Sequence, residues 1–213
     1  MTAVKIKICG ITNHDDAQAA IDAGADALGF VFYKSSPRWV QPDVVRRIVA
    51  ALPPFVLPVG VFVNEDGKVV RDLMDACGLA VAQLHGDETA AYCEQLGRPA
   101  WKAVRLKDAG SFLALAEYKG RAGVRGVLID AFSESVYGGT GRRADWTWAA
   151  EAARHAPVIL AGGLTPENVH EAVRIVRPYG VDVSSGVEVS PGKKDPHKLA
   201  AFIAAVKLVS APD

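Results

Sequence analysis

Short apolar runs alternate with segments of helical periodicity along the whole chain. Runs rich in β-branched and small apolar residues occupy 4–9, 27–32, 56–63, 80–84, 100–106, 126–130, 157–161 and 180–184. Between them, apolar residues recur at the three- and four-residue steps of a helix with one buried face. The clearest sets are Ala17, Ala20 and Ile21 within 15–23, and Val44, Val45, Ile48, Val49 and Leu52 within 43–52. Two more are Val69, Val70, Leu73, Met74 and Cys77 within 66–77, and Leu199, Phe202, Ile203, Val206 and Leu208 within 199–208. The strand runs are nearly continuous in apolar character, as parallel strands covered on both sides are. Alternating β and α elements make either an open doubly wound sheet or a closed barrel. Eight strand runs favour the barrel, so the expected fold class is α/β, a single (β/α)8 TIM barrel.

Composition narrows this further. A chain of 213 residues holds one well-buried core and is short for two ordinary domains. No Pro-, Ser- or Gly-rich linker divides it, so 1–213 is expected to be one domain. Lys plus Arg and Asp plus Glu balance at 24 each. That balance gives no electrostatic reason to expect nucleic acid or a membrane surface as partner, although it leaves room for a local phosphate site. The first residues enter a strand pattern without a basic and apolar leader. The longest apolar runs carry proline and are too short to span a bilayer. Cys9, Cys77 and Cys93 match neither a disulfide framework nor zinc spacing. The expected setting is therefore the cytoplasm, with reduced thiols.

Barrel enzymes carry their chemistry at the C-terminal ends of the strands. Here those ends bring Cys9, Arg38, His85, Arg105, Asp130, Gly162, Gly163 and 182–186 to one face. The turns after strands seven and eight are where this fold commonly seats a phosphate. Gly162 and Gly163 let backbone N–H groups approach an anion, and Thr165-Pro166 begins the next helix with Pro at its first position. Ser184, Ser185 and Gly186 add hydroxyls and a bare amide, leading into a possible short helix. Ordinary βα turns are the alternative. A lone Cys among apolar neighbours is usually a small buried hydrophobe; the strand-end position of Cys9 is what raises it as a catalytic thiol. Asp130 follows Val127, Leu128 and Ile129, where a carboxylate is costly without a task or a partner. The structural alternative is a salt bridge to Lys5, Lys7 or Lys102. Arg38 suits a carboxylate ligand or is simply solvated. His85 reads as a structural hydrogen-bonding residue, Asp182 as a loop cap or a substrate contact, and Trp146 and Trp148 as helix packing. The longest irregular stretch is 131–143, where Gly138, Gly139 and Gly141 permit a lid that closes over substrate.

Taken in order, several segments carry a resemblance. They are Lys7 through Thr12, Gly29 through Phe32, Ser36-Pro37-Arg38, Gly60 through Asn64, Gln83-Leu84-His85-Gly86, and Asp130. Gly138-Gly139-Thr140-Gly141 with Asp145-Trp146, Ala161 through Leu164, and Asp182 through Glu188 continue the series. The chain resembles the phosphoribosylanthranilate isomerase family of tryptophan biosynthesis over nearly its whole length. The resemblance implies an Amadori rearrangement of N-(5-phosphoribosyl)anthranilate to the 1-(2-carboxyphenylamino)-1-deoxyribulose 5-phosphate ketose. It implies Asp130 as general acid, Cys9 as general base, and Arg38 as the partner of the anthranilate carboxylate. Gly162, Gly163, Ser184, Ser185 and Gly186 would hold the phosphate, with Asp182 near the ribose hydroxyls.

The residue types suit that chemistry. An aspartate at its ordinary pKa of about 3.9 is protonated about one part in a thousand at pH 7, a deficit that burial and a nearby anion reduce. Ring opening gives an iminium ion that acidifies the neighbouring carbon, so a thiolate is a sufficient base. Nothing in the reaction calls for a metal or a cofactor. The expected partner is one small phosphorylated substrate, with the chain a monomer or homodimer. One competing reading is another phosphate-binding barrel, such as a thiamine-phosphate synthase or a pentose-phosphate epimerase, whose acidic or His-rich metal sets are not apparent in the sequence. The other is a non-catalytic barrel that binds a phosphometabolite and has no need of both Cys9 and Asp130.

Overall fold

The computed structural model describes residues 3–106, 108–130 and 146–210. Eight parallel strands close into a barrel: β1 Lys5–Cys9, β2 Ala27–Val31, β3 Leu57–Phe62, β4 Val81–Leu84, β5 Ala100–Arg105, β6 Val124–Asp130, β7 Val158–Ala161 and β8 Gly180–Val183. The helices between and after them are α1 His14–Ala23, α2 Pro42–Ala50, α3 Gly67–Cys77, α4 Ala90–Leu96, α5 Ala109–Ala114, α6 Thr147–His155, α7 Val169–Val176 and α8 Pro196–Ser210. The expected architecture is thus the one found.

Successive strand residues point to opposite faces, which divides each strand between two cores. On β1, Ile6 and Ile8 join the mantle of apolar side chains between strands and helices. Lys7 and Cys9 therefore point into the barrel. On β8, Val181 and Val183 face the mantle and Asp182 faces in. Inside, Cys9, Val31 and Val61 pack as one small group, and Ala27, Val59 and Val81 as another below it. Barrel closure pairs β1 with β8, with Lys7 opposite Asp182.

The helices start and stop where local chemistry dictates. Asn13 caps α1 by accepting the Asp16 N–H at 2.8 Å, Asp66 caps α3, and Thr89 caps α4. Side-chain oxygens at these positions satisfy N–H groups that have no partner within the helix. Most strand ends fall one or two residues from the expected runs, and two larger departures follow β7 and β8. β2 ends at Val31, one residue short of the expected run. The α7 helix proper begins at Val169, not directly after Pro166, because 166–168 form a turn in which the Thr165 carbonyl accepts from Asn168 and Val169. After β8 the expected short helix is a single 3₁₀ turn, Ser185–Val187, followed by a small antiparallel hairpin of β9 Glu188–Ser190 and β10 Lys193–Lys194. The proposed lid at 131–143, with the glycines at 138–141 and Asp145, lies outside the described residues. Trp146 is buried in the mantle, and Trp148 stands 5.8 Å from Phe112, ring to ring.

Candidate active site

A cavity of about 440 Å³ opens at the C-terminal ends of the strands. Cys9, Arg38, Asp130, Gly162, Gly163, Asp182, Ser184 and Ser185 all line it, together with Gln83 and His85. Of the residues expected on this face, Arg105 and Gly186 are not in the lining: Arg105 lines a neighbouring cavity with His85 and Lys102, and Gly186 sits behind the wall. An alanine Cβ at position 186 would overlap the Leu164 carbonyl oxygen and crowd its carbon at 3.0 Å. The turn after β8 thus packs directly on the turn after β7, and only glycine permits that approach. Gly186→Ala is expected to destabilise the protein by about 1–3 kcal/mol, the range for forced overpacking. An unchanged urea midpoint would show that the two turns move apart freely.

Among the described residues, the two turns leave one buried hydroxyl without a partner. Gly162 and Gly163 both have positive φ, at 88° and 63°. Asn168 holds this turn from behind, donating to the Gly163 carbonyl at 2.9 Å and accepting from the Thr165 N–H at 2.8 Å. The Ser184 hydroxyl oxygen is buried and has no partner among the described residues. A buried hydroxyl is costly without a hydrogen bond. Its position beside two glycine amides fits an anion seat.

Cys9 is 8% exposed, at the cavity floor. Burial pushes its thiol up, Lys7 and Lys194 pull it down, and Asp182 pushes it up again; the net direction is upward. Lys7 Nζ donates to Asp182 Oδ1 at 2.8 Å, and both side chains are nearly fully buried. Asp182, expected as a loop cap or near a ribose, has one carboxylate oxygen committed to this pair.

Asp130 ends β6 with its Oδ2 3.7 Å from His85 Nε2. The Gln83 side-chain amide is hydrogen-bonded to His85 Nδ1 at 2.9 Å, which fixes the ring with Nε2 facing Asp130. The lysines considered as structural partners of Asp130 are engaged elsewhere: Lys5 with Asp26 at 2.8 Å, Lys7 with Asp182, and Lys102 with Glu88 at 3.0 Å. The turn that carries His85 is braced from below. Glu88 accepts from the Asn64 and Gly86 N–H groups and from Lys102, and Lys102 also donates to the Gly86 carbonyl at 2.6 Å.

Arg38 is neither fully solvated nor wholly open to a ligand. Its Nε donates to Glu188 Oε1 at 2.9 Å and its Nη2 to Glu188 Oε2 at 2.7 Å. Such forked pairs fix the plane of the guanidinium; here the fork uses Nε and Nη2. Glu188 also accepts from buried Lys194 at 3.0 Å, and these cations hold its carboxyl below the usual range against the opposing effect of burial. Lys194 donates further to the Cys9 and Ser184 carbonyls, which ties the hairpin to both β1 and β8. Sequence reasoning missed Lys7 and Lys194 as site residues. The signal for Lys7 was available, since it stands two positions before Cys9 and so shares its face. Lys194 gave none, because a two-residue strand has no periodicity.

Comparison with known proteins adds an independent line. A family model for N-(5'phosphoribosyl)anthranilate (PRA) isomerase matches residues 6–205. The N-(5'-phosphoribosyl)anthranilate isomerase of Citrifermentans bemidjiense is 51% identical, over 97% of this chain and 98% of that protein. The crystal structure of phosphoribosyl anthranilate isomerase from Thermotoga maritima superposes with a TM-score of 0.88 at 42% identity, covering 96% of this chain and 98% of the other. A crystal structure of such an isomerase in complex with reduced 1-(o-carboxyphenylamino)-1-deoxyribulose 5-phosphate gives 0.85 at 40% identity, with the same coverage of both chains.

Proposed function

Because the chain belongs to the N-(5'-phosphoribosyl)anthranilate isomerase family, we propose that Cys9 and Asp130 carry the two proton transfers of that isomerisation. The reaction converts the N-linked aldose phosphate to its aminoketose. One observation carries the assignment: a thiol on β1 and a carboxylate on β6 line the same cavity, and the two strands between them, β7 and β8, bear the glycine turns. A phosphate held on Gly162, Gly163, Ser184 and Ser185 sets the sugar between acid and base.

In this reading Asp130 gives a proton to the furanose ring oxygen as the C1–O bond breaks. The anilino nitrogen supplies the electron pair and becomes an iminium. Cys9, as thiolate, then removes the proton from C2; the C–H electrons form a C1–C2 double bond and neutralise the nitrogen. The resulting enol amine tautomerises to the ketone. Each step moves protons and electrons within the substrate and two side chains. Asp182, held by Lys7, is the carboxylate placed nearest the Cys9 side of the sugar. The chain acts as a monomer or homodimer in this reading. Among the described residues, no helix is long and apolar enough to cross a membrane.

The direct test is loss of anthranilate-type fluorescence when fresh phosphoribosylanthranilate is mixed with the protein. Fast loss with wild type and slow loss with Asp130→Asn and Cys9→Ala is the expected result. A well-folded wild type without turnover would return a binding-only barrel to the front. Arg38 is expected to hold the substrate carboxylate through Nη1. Arg38→Ala should weaken binding by about 1.5–3 kcal/mol, the range for hydrogen bonds to charged groups. The same variant should cost little with the aniline analogue that lacks the carboxylate. Equal losses with both would assign Arg38 to scaffolding through Glu188.

A further inference from the structure

The barrel interior holds a buried ion pair that the proton transfers above do not use. Lys7 and Asp182 are 3% and 7% exposed. Desolvating two charges is expensive, and apolar residues of similar size often serve stability as well or better. A pair kept here invites a chemical explanation. Its position supplies one. Lys7 lies one inward step below Cys9 on the same strand, and Gly29 on β2 leaves the space beside them empty. A methyl group on Gly29 would lie 2.9 Å from Cys9 Sγ and 2.9 Å from Lys7 Nζ. The sulfur and the ammonium are therefore neighbours with no side chain between them.

We propose that Lys7 is the positioning residue of the general base: its ammonium, anchored on Asp182, holds the negative charge of the Cys9 thiolate. This rests on reading Cys9 as the base. The ammonium persists despite burial, because Asp182 and Cys9 more than offset the cost and raise Lys7 above the ordinary lysine value. Among the described residues, four charges act on the sulfur. They are Lys7 from β1, Asp182 from β8, Lys194 from the β9–β10 hairpin and Arg38 from the segment after β2. Lys194 and Arg38 are both tied to Glu188, and Lys194 also donates to the Cys9 carbonyl. Lys7 is the cation whose attraction outweighs the others in lowering the thiol. When Cys9 takes a proton, Lys7 and Asp182 remain a closed neutral pair, so no uncompensated charge is left behind.

The test reads the sulfur directly. Alkylation of Cys9 by iodoacetamide is followed against pH, with peptide-level mass spectrometry to separate it from Cys77 and Cys93. Lys7→Met is expected to move the alkylation midpoint up by about one pH unit or more, a roughly tenfold lower thiolate fraction at neutral pH. Asp182→Asn is expected to move it down, since an anion beside the sulfur is removed. These opposite signs are not what a merely structural pair would give. Lys7→Met alone strands Asp182 as a buried anion. The double variant Lys7→Met/Asp182→Asn therefore removes both charges and keeps the packing. Alkylation in it should be about tenfold slower than in Asp182→Asn, and Lys7→Arg should restore much of the wild-type rate. Equal rates in the double variant and Asp182→Asn, both folded by near-UV circular dichroism, would overturn the proposal. The rising limb of kcat against pH should shift with the alkylation midpoint. A midpoint that shifts while the kcat limb stays fixed would uphold the Lys7–sulfur coupling and overturn Cys9 as the base.

Discussion

Asp130→Asn is expected to lower kcat by about 10²–10⁴-fold, the usual contribution of a positioned general acid. That range corresponds to about 2.7–5.5 kcal/mol of transition-state stabilisation. Asparagine keeps the size and shape of the side chain, so the end of β6 and its contact with the turn at His85 stay in place. What is lost is the proton that the ring oxygen needs as its bond to C1 breaks. Binding of a stable product analogue should change only a few-fold, because the phosphate turns and Arg38 are untouched. A KM that rises while kcat holds would mean that Asp130 binds substrate rather than protonates it. The two parameters separate these roles, since an interaction made only in the transition state lowers kcat and kcat/KM together. His85 supplies a second readout. Its Nε2 lies 3.7 Å from Asp130 Oδ2, too far for a direct hydrogen bond and near enough to feel the charge. Its ring resonances, read at one fixed pH, should therefore shift in Asp130→Asn, and unmoved resonances would place the carboxylate away from the ring.

The fold was legible because the chain repeats one physical pattern. Strands buried on both faces give unbroken apolar runs, as in β2, where every residue from Ala27 to Val31 is buried. Helices on the outside give periodic ones. The site was legible to the extent that strand ends announce it, so Cys9, Asp130 and the glycine turns stood out by position. Partnership was another matter. Lys7 and Asp182 are 175 residues apart in sequence and meet only because the barrel closes β8 onto β1. Arg38 and Glu188 are 150 apart. Neither pairing follows from local spacing, and both change the meaning of a residue read alone. Arg38 looked like a free guanidinium and proves to be half committed to Glu188. Asp182, read as a loop cap or a substrate contact, lines the cavity and is also one member of a buried pair. The delayed start of α7 has a local cause: the Asn168 side chain bonds back to Thr165 and Gly163, which holds 166–168 in a turn shaped by the site.

If Cys9 is the base proposed above, Cys9→Ala is expected to cost at least as much as loss of the acid, about 10²–10⁴-fold in kcat. The cavity floor should tolerate it. Cys9 packs against Val31 and Val61, and truncating the thiol to a methyl group leaves these aliphatic neighbours in contact. Product binding should therefore persist, which separates failed chemistry from a failed site. Cys9→Ser sharpens the argument. It restores the shape and a weak hydrogen-bonding group, but a hydroxyl resists deprotonation far more than a thiol, so activity should stay near that of the alanine variant. Near-normal turnover in the serine variant would mean that position 9 only orients the sugar. Substrate deuterated at C2 gives the closing measurement. If Cys9 takes that proton, wild type should show a primary isotope effect on any step limited by the transfer. Cys9→Ala, with water or a distant group as a poor substitute, should show an effect at least as large. An isotope effect present in wild type and absent in the slow variant would move the limiting step elsewhere, and with it the role assigned to the thiol.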